Sequence, residues 1–265
     1  HGTNISDYRV QAMQGVTTML ELESGVLPIA DWYEAQGQRN LPINYGAAAA
    51  WTFGRIAAFT DTDPLATAAY FQDAQGRQDW KFDIAKDEEL QRTLSLVEQG
   101  LKEGGLGIGV NAGYAPGYGH KEYYALAELA GKYGVGTFTH VRYASNLEPQ
   151  SSFEAVQELI SLAAITGTHM HLCHINSTSL KDIARTRALV EEARARGINV
   201  TTEMSLGSTA YSADTRVTSI SVTSDNDTPS ISDVAAGDRT QWSIRLTSAV
   251  PESTTSTPRS RNRSR

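Results

Sequence analysis

The chain has 265 residues, a length that suits one large α/β domain with a sizeable core. Its formal charge of −7 argues against a nucleic-acid or anionic-membrane surface, since both need clustered Lys and Arg, and points to a small-molecule partner. A single cysteine, Cys173, excludes an intrachain disulfide and gives no sign of an oxidising compartment, so a cytoplasmic location is expected.

No apolar run reaches the roughly 20 residues that span a bilayer, and the opening HGTNISDYRV lacks the charged and apolar regions of a signal peptide. It also lacks an initiator methionine, so the start is expected to be truncated or processed. GVTTMLEL (15–22) reads as a β-rich strand, followed by a helix around PIADWYEAQGQ with Pro28 at its first position. LPINYGAAAAW gives a second strand. Residues 51–82 mix helical pieces with turns and receive no assignment. DEELQRTLSLVEQGLKEG places Leu90, Leu94, Val97 and Leu101 on one helical face, with acids in the first turn and Lys102 in the last. LGIGV is the next strand, KEYYALAELAGKYG a helix ended by Gly134, and GTFTHV a strand. A helix capped by Ser151 or Ser152 runs through SSFEAVQELISLAAITG. THMHLCH is then a strand, STSLKDIARTRALVEEARARG a helix, and INVTTEM one more strand.

This βαβα rhythm implies a parallel sheet. A doubly wound dinucleotide fold is disfavoured, because Gly104 to Gly109 lie before and within a strand rather than between strand and helix. In a (β/α) barrel, polar residues at the C-terminal ends of strands build the site. Those ends here carry Glu21 and Glu23, Asn111, His140 and Arg142, His174 and Glu203. Three of the six histidines crowd into THMHLCHINS. Side chains alternate along a strand, which puts Met170, Leu172 and His174 on one face and His169, His171 and Cys173 on the other. His174, last in the strand, is therefore the metal-ligand candidate, with His169 and His171 deeper or facing the helices. A hydrogen-bonded core histidine is the plainer alternative; His140 at the equivalent place on the preceding strand favours a metal.

Histidines ending two successive strands, the opening HG dipeptide, and GVTTMLELESGV, GLGIGVNAGYAPGYGHKEYYALAELAGKYG, TFTHVRYASNLEP and HLCHINSTSLKDI together resemble the amidohydrolase superfamily, and within it the N-acyl-D-amino-acid deacylases, the D-aminoacylase and D-glutamate deacylase group. The resemblance covers about residues 1–203. It implies a zinc-dependent hydrolase of N-acyl-D-amino acids, with one or two Zn2+ ions, on an incomplete (β/α)8 TIM-type barrel of about strands 2 to 7. By the same resemblance His1 stands for the second histidine of a His-x-His pair, and His140 and His174 for the strand-five and strand-six ligands. Where the family has a strand-two cysteine this chain has ELESG, and Glu23, with Glu21 behind it, is the substitute; a carboxylate is a competent zinc ligand. Arg142 matches the arginine that pairs with the substrate carboxylate, and Tyr114 and Tyr118 could line the acyl pocket. An acidic substrate would need a second cation, for which His120 and Lys121 are the candidates.

After INVTTE the chain departs from the family pattern, which has a catalytic aspartate ending strand eight. Residues 204–265 are rich in serine, threonine and, at the end, arginine, and contain no lysine. They read as a disordered or non-homologous low-complexity tail. RVTSISVTSDND is the one run that could replace a barrel strand, ending at Asp225. Two functions are therefore expected to compete: a deacylase domain, and a catalytically dead fragment with a partial metal site and a scaffold or interaction role. No catalytic base is assigned, and the oligomeric state is left open.

Overall fold

The computed structural model describes residues 8–204, 220–224 and 242–246. Two compact units divide the chain, one spanning His1–Ala210 and the other Tyr211–Arg265. In the first, strands and helices alternate: α1 (Tyr8–Met13), β1 (Thr18–Val26), α2 (Ile29–Gly37), β2 (Asn44–Ala50), α3 (Trp51–Thr60), α4 (Ala68–Ala74), α5 (Asp79–Phe82) and α6 (Asp87–Lys102). There follow β3 (Gly107–Asn111), α7 (His120–Tyr133), β4 (Gly136–His140), α8 (Ser152–Thr166), β5 (Met170–Leu172), α9 (Ile175–Ser179), α10 (Ile183–Ala195) and β6 (Val200–Thr202). The sheet order is β1-β2-β3-β4-β5-β6 with every neighbouring pair parallel, which is the expected α/β architecture of a partial (β/α) barrel.

One face of this sheet packs on helices. Ala49 lies under Gly100 of α6, and Thr139 hydrogen-bonds the Tyr123 hydroxyl of α7 at 2.7 Å. Ile108, Val110, Met170 and Leu172 are buried with them. Alternate residues, among them Phe138, His140 and His171, face the other way, toward what would be the barrel interior. The expected helix ends hold: Ser151 caps α8 by accepting the Glu154 N–H at 3.2 Å, and Gly134 closes α7 at a left-handed φ of 60°. Pro28 sits one position earlier than expected, as the N-cap of α2.

Three differences from the sequence reading matter for the site. Strand β1 begins and ends later than expected, so Glu21 and Glu23 lie inside it rather than at its end, beside a register irregularity between Glu21 and Val26. Strand β5 stops at Leu172, so His174 lies beyond it. The unassigned stretch 51–82 contains α3, buried from Trp51 to Ala57 on every side, together with α4 and α5.

In the second unit, β7 (Ile220–Ser224) pairs antiparallel with β8 (Trp242–Leu246). β7 falls within RVTSISVTSDND, and it forms a two-stranded antiparallel sheet rather than a parallel barrel strand. Asp225 and the remainder of the tail lie outside the described residues. Among the described residues no helix is long and apolar enough to cross a membrane.

Candidate metal centre

Glu23, His140 and His174 come together, each offering one donor atom within 4.8 Å of the others. The bulge in β1 is what carries Glu23 there. Leaving its register with β2 after Glu21, the chain of Leu22 to Gly25 passes so close to β3 that a Cβ at Gly109 would stand 2.6 Å from the Leu22 carbonyl oxygen and 2.7 Å from that of Glu23. Glycine at 109 is thus a requirement of the approach. Asn111 fastens the crossing by donating from Nδ2 to Ser24 Oγ at 3.1 Å. His140 is in register with Asn111 at the C-terminal end of β4.

His174 reaches the same point by a different route. Its backbone is left-handed, with φ 38° and ψ 53°, which interrupts the strand alternation immediately after Cys173. The grouping of His174 with Met170 and Leu172 is therefore corrected: those two pack against helices, while the turn redirects His174. Its backbone N–H donates to Glu203 Oε1 at 3.1 Å, and Ser177 Oγ lies 2.9 Å from its Nδ1. These two contacts hold the ring with Nε2 turned to the other ligands.

The triangle is tight. His140 Nδ1 is 3.0 Å from His174 Nε2 and 3.2 Å from Glu23 Oε1, and His174 Nε2 is 3.1 Å from Glu23 Oε2. Ligands at about 2.0–2.1 Å in a tetrahedral site are separated by about 3.3–3.4 Å, so two imidazoles and a carboxylate at these spacings fit a divalent ion with little movement. Three protein ligands also leave a coordination position open, as catalytic sites do. Burial alone would raise the Glu23 carboxyl, but the hydrogen bonds and charges of His140 and His174 outweigh it and hold its pKa at about 2. For His174 burial acts downward, and the Glu23 carboxylate prevails and raises it. The site thus keeps an ionised carboxylate against two imidazoles. His1, the fourth expected ligand, lies outside the described residues.

The residues expected to bind substrate are dispersed. Tyr114 is at the site, its ring 5.4 Å from that of His140 and 40% exposed. Tyr118 is not: it is 3% exposed, packs edge-on against Trp51 and Tyr123, and donates its hydroxyl to Glu158 Oε2 at 3.1 Å. Arg142 stacks its guanidinium 3.5 Å over the Tyr118 ring and pairs with Glu158 Oε1 at 2.7 Å, so its fork is already engaged. Its Nε, though, is buried without a hydrogen-bond partner, and the residue borders a cleft of about 480 Å³ with Phe82, Pro116, Tyr143 and Leu147. His120 also pairs with Glu158, at 2.9 Å. Glu158 therefore gathers three of the expected substrate-binding groups, a role that its place on an ordinary amphipathic helix gave no means of anticipating.

His171 was expected to lie deeper or to face the helices. It lies deeper, on the face away from the helices, with Nδ1 2.8 Å from Thr201 Oγ1 and Nε2 hydrogen-bonded to Glu203 Oε2. His169 shares the same threonine, at 2.7 Å from Nε2. Burial, followed by the neighbouring charge of His171, lowers the His169 pKa to about 4. Burial also drives the Cys173 thiol well above its usual range, assisted by the carboxylates of Glu203 and Glu23.

No protein-family model matches the chain, and neither does any curated protein sequence. Solved structures do. An N-acyl-D-glutamate deacylase from Bordetella bronchiseptica, determined with zinc and a phosphonate mimic of the reaction's tetrahedral intermediate, is 18% identical with a TM-score of 0.60, covering 77% of this chain and 46% of its own. A D-aminoacylase described as defining a novel subset of amidohydrolases is 16% identical with a TM-score of 0.58, covering 76% of this chain and 44% of its own. The same figures hold for the D-aminoacylase structure described for the functional role of its binuclear metal centre. The chain thus spans less than half the length of the structures it matches, and what it shares with these amidohydrolases is the fold: part of a (β/α) barrel.

Proposed function

We propose that the chain is a zinc-dependent amidohydrolase domain acting in the cytoplasm on small N-acylated D-amino acids, with one ion held by Glu23, His140 and His174. The observation that carries this reading is the triangle of two imidazoles and a carboxylate with 3.0–3.2 Å edges, in which His140 ends β4, His174 follows β5 and the bulge of β1 brings Glu23 to them, on the side of the sheet where barrel enzymes place their chemistry. Similarity of fold to deacylases that work on such substrates supports the substrate class. Glu23, His140 and His174 would hold the zinc, which would supply Lewis acidity toward an amide carbonyl and toward water near neutral pH. The chain's own residues orient the ligands and border the substrate cleft. Ser177 fixes the tautomer of His174, and the Tyr114 ring shields one side of His140. Arg142, which borders the cleft, puts a guanidinium charge beside it, and a substrate carboxylate would have to displace Glu158 to pair with the fork.

The test is metal content and turnover of the chelator-stripped, zinc-reloaded chain. His140→Ala and His174→Ala should each remove about one zinc per chain relative to the parent, and the parent should hydrolyse N-acetyl-D-glutamate in preference to its L enantiomer. Retention of the full zinc complement by both variants would refute the ligand assignment. Zinc binding without turnover of any N-acyl-D-amino acid would leave the second reading, a metal-holding fragment with a scaffold role.

A further inference from the structure

A second group of donors stands together among the described residues. His171 in β5, Cys173 just beyond it and Glu203 just beyond β6 each present one ligand atom, all within 4.8 Å of one another. The topology explains the grouping. Positions 171 and 173 share a face of extended chain, and the parallel register sets His171 beside Thr201, two residues before Glu203. His171 and Cys173 are 6% and 3% exposed, while the Glu203 side chain is 37% exposed, so the group is buried on one side and reachable from solvent at the carboxylate.

Two of the three donors are oriented by other contacts. Thr201 Oγ1 lies between His171 Nδ1, at 2.8 Å, and His169 Nε2, at 2.7 Å. The hydroxyl thus ties down Nδ1 of His171, and Nε2 is the nitrogen that points to Glu203. A ligating histidine whose second nitrogen is hydrogen-bonded in this way is the usual arrangement around a metal. Glu203 is held at Oε1 by the His174 backbone N–H at 3.1 Å, keeping Oε2 toward His171.

We propose that His171, Cys173 and Glu203 form a second metal site, distinct in its ligands from Glu23, His140 and His174, that takes a thiophilic divalent cation, with zinc as the ion that fits and cadmium as its probe. Thiolate, imidazole and carboxylate together are a zinc donor set rather than one for magnesium or calcium. A metal ion binds cysteine as the thiolate, so binding here releases the Cys173 thiol proton.

Cys173 is the only cysteine in the chain, which makes the site separately visible. Cadmium added to the full, chelator-stripped chain should produce a thiolate-to-cadmium charge-transfer band that saturates, persists in His140→Ala and disappears in Cys173→Ser. In His171→Gln and Glu203→Gln its half-saturation concentration should rise at least about tenfold. Cadmium-113 NMR of the unmutated chain needs no variant to fold, and it should show a resonance shifted downfield by a thiolate ligand apart from one with only nitrogen and oxygen ligands. The proposal is overturned if the folded parent shows neither the band nor the downfield resonance at saturating cadmium, or if His171→Gln and Glu203→Gln leave the band unchanged, which would mean that the cysteine binds alone. Loss of only the nitrogen-and-oxygen resonance would instead refute the Glu23 site and leave this one standing.

Discussion

His174 depends on its surroundings more than on its position in the sequence. A non-glycine residue at φ 38° is held against its own preference, and here Ser177 and Glu203 hold it, one at the ring and one at the backbone. Ser177→Ala removes the partner of Nδ1 and frees the ring to rotate. Zinc affinity at the Glu23 site should then fall by about 10–100-fold, as for other second partners of metal-binding histidines, with little change in thermal stability. Competition against a chromophoric chelator measures this directly. His140 is hemmed in differently: a Cβ at Gly113 would stand 2.7 Å from its Cδ2 and 2.9 Å from its Nε2. Gly113→Ala should therefore displace the His140 ring and weaken zinc, whereas Gly119→Ala, whose Cβ would meet nothing nearer than Ile84 at 3.4 Å, should bind as the parent does. Equal affinity in Ser177→Ala, Gly113→Ala and the parent would mean that the two rings need no external orientation.

At the scale of elements, α3 is the piece that ties the barrel wall together, and it does so with a charge. Arg55 and Glu122 form an ion pair between α3 and α7 with both side chains buried; Trp51 adds a 2.7 Å bond from its indole N–H to the same carboxylate, and Arg55 also donates to the Trp80 and Asp83 carbonyls. Removing one partner of such a pair strands the other charge in the core, at a cost of about 3–5 kcal/mol, while replacing both with apolar groups often costs little. Glu122→Gln should thus be strongly destabilised in urea, and Arg55→Met combined with Glu122→Leu should be more stable than the sum of the single changes predicts. Additive losses would show that the two residues act independently. This element also marks where the sequence stopped being readable. Helices α6, α7 and α8 bury one face and expose the other, so their periodicity is visible, as are the short apolar strands between them. From Trp51 to Ala57 every residue of α3 is buried, and no alternation of polar and apolar positions remains to announce a helix. The candidate site follows the same logic. His140 at the end of a regular strand was legible; the bulge that swings Glu23 across β2 and the left-handed turn at His174 are departures from period two, and the pairing of His171 with Glu203 depends on strand register, which is not readable one strand at a time.

Every donor of both proposed sites, from Glu23 to Glu203, belongs to the unit spanning His1–Ala210. Metal binding should therefore be a property of that unit. The ligands come from β1, β4, β5 and the ends of β5 and β6, so no pair of neighbouring elements can assemble the Glu23 site without the intervening sheet. Binding is in this way coupled to folding of the whole unit, and an ion present at 100 times its dissociation constant should stabilise it by about 2.7 kcal/mol per site. The measurement is a comparison of the full chain with one ending at residue 210, each stripped and then reloaded with zinc. Both should take up the same number of ions and gain the same increment in unfolding temperature. If the shorter chain folds but binds fewer ions, a ligand resides in the second unit, and the serine- and threonine-rich tail is part of the metal centre rather than an appendage to it.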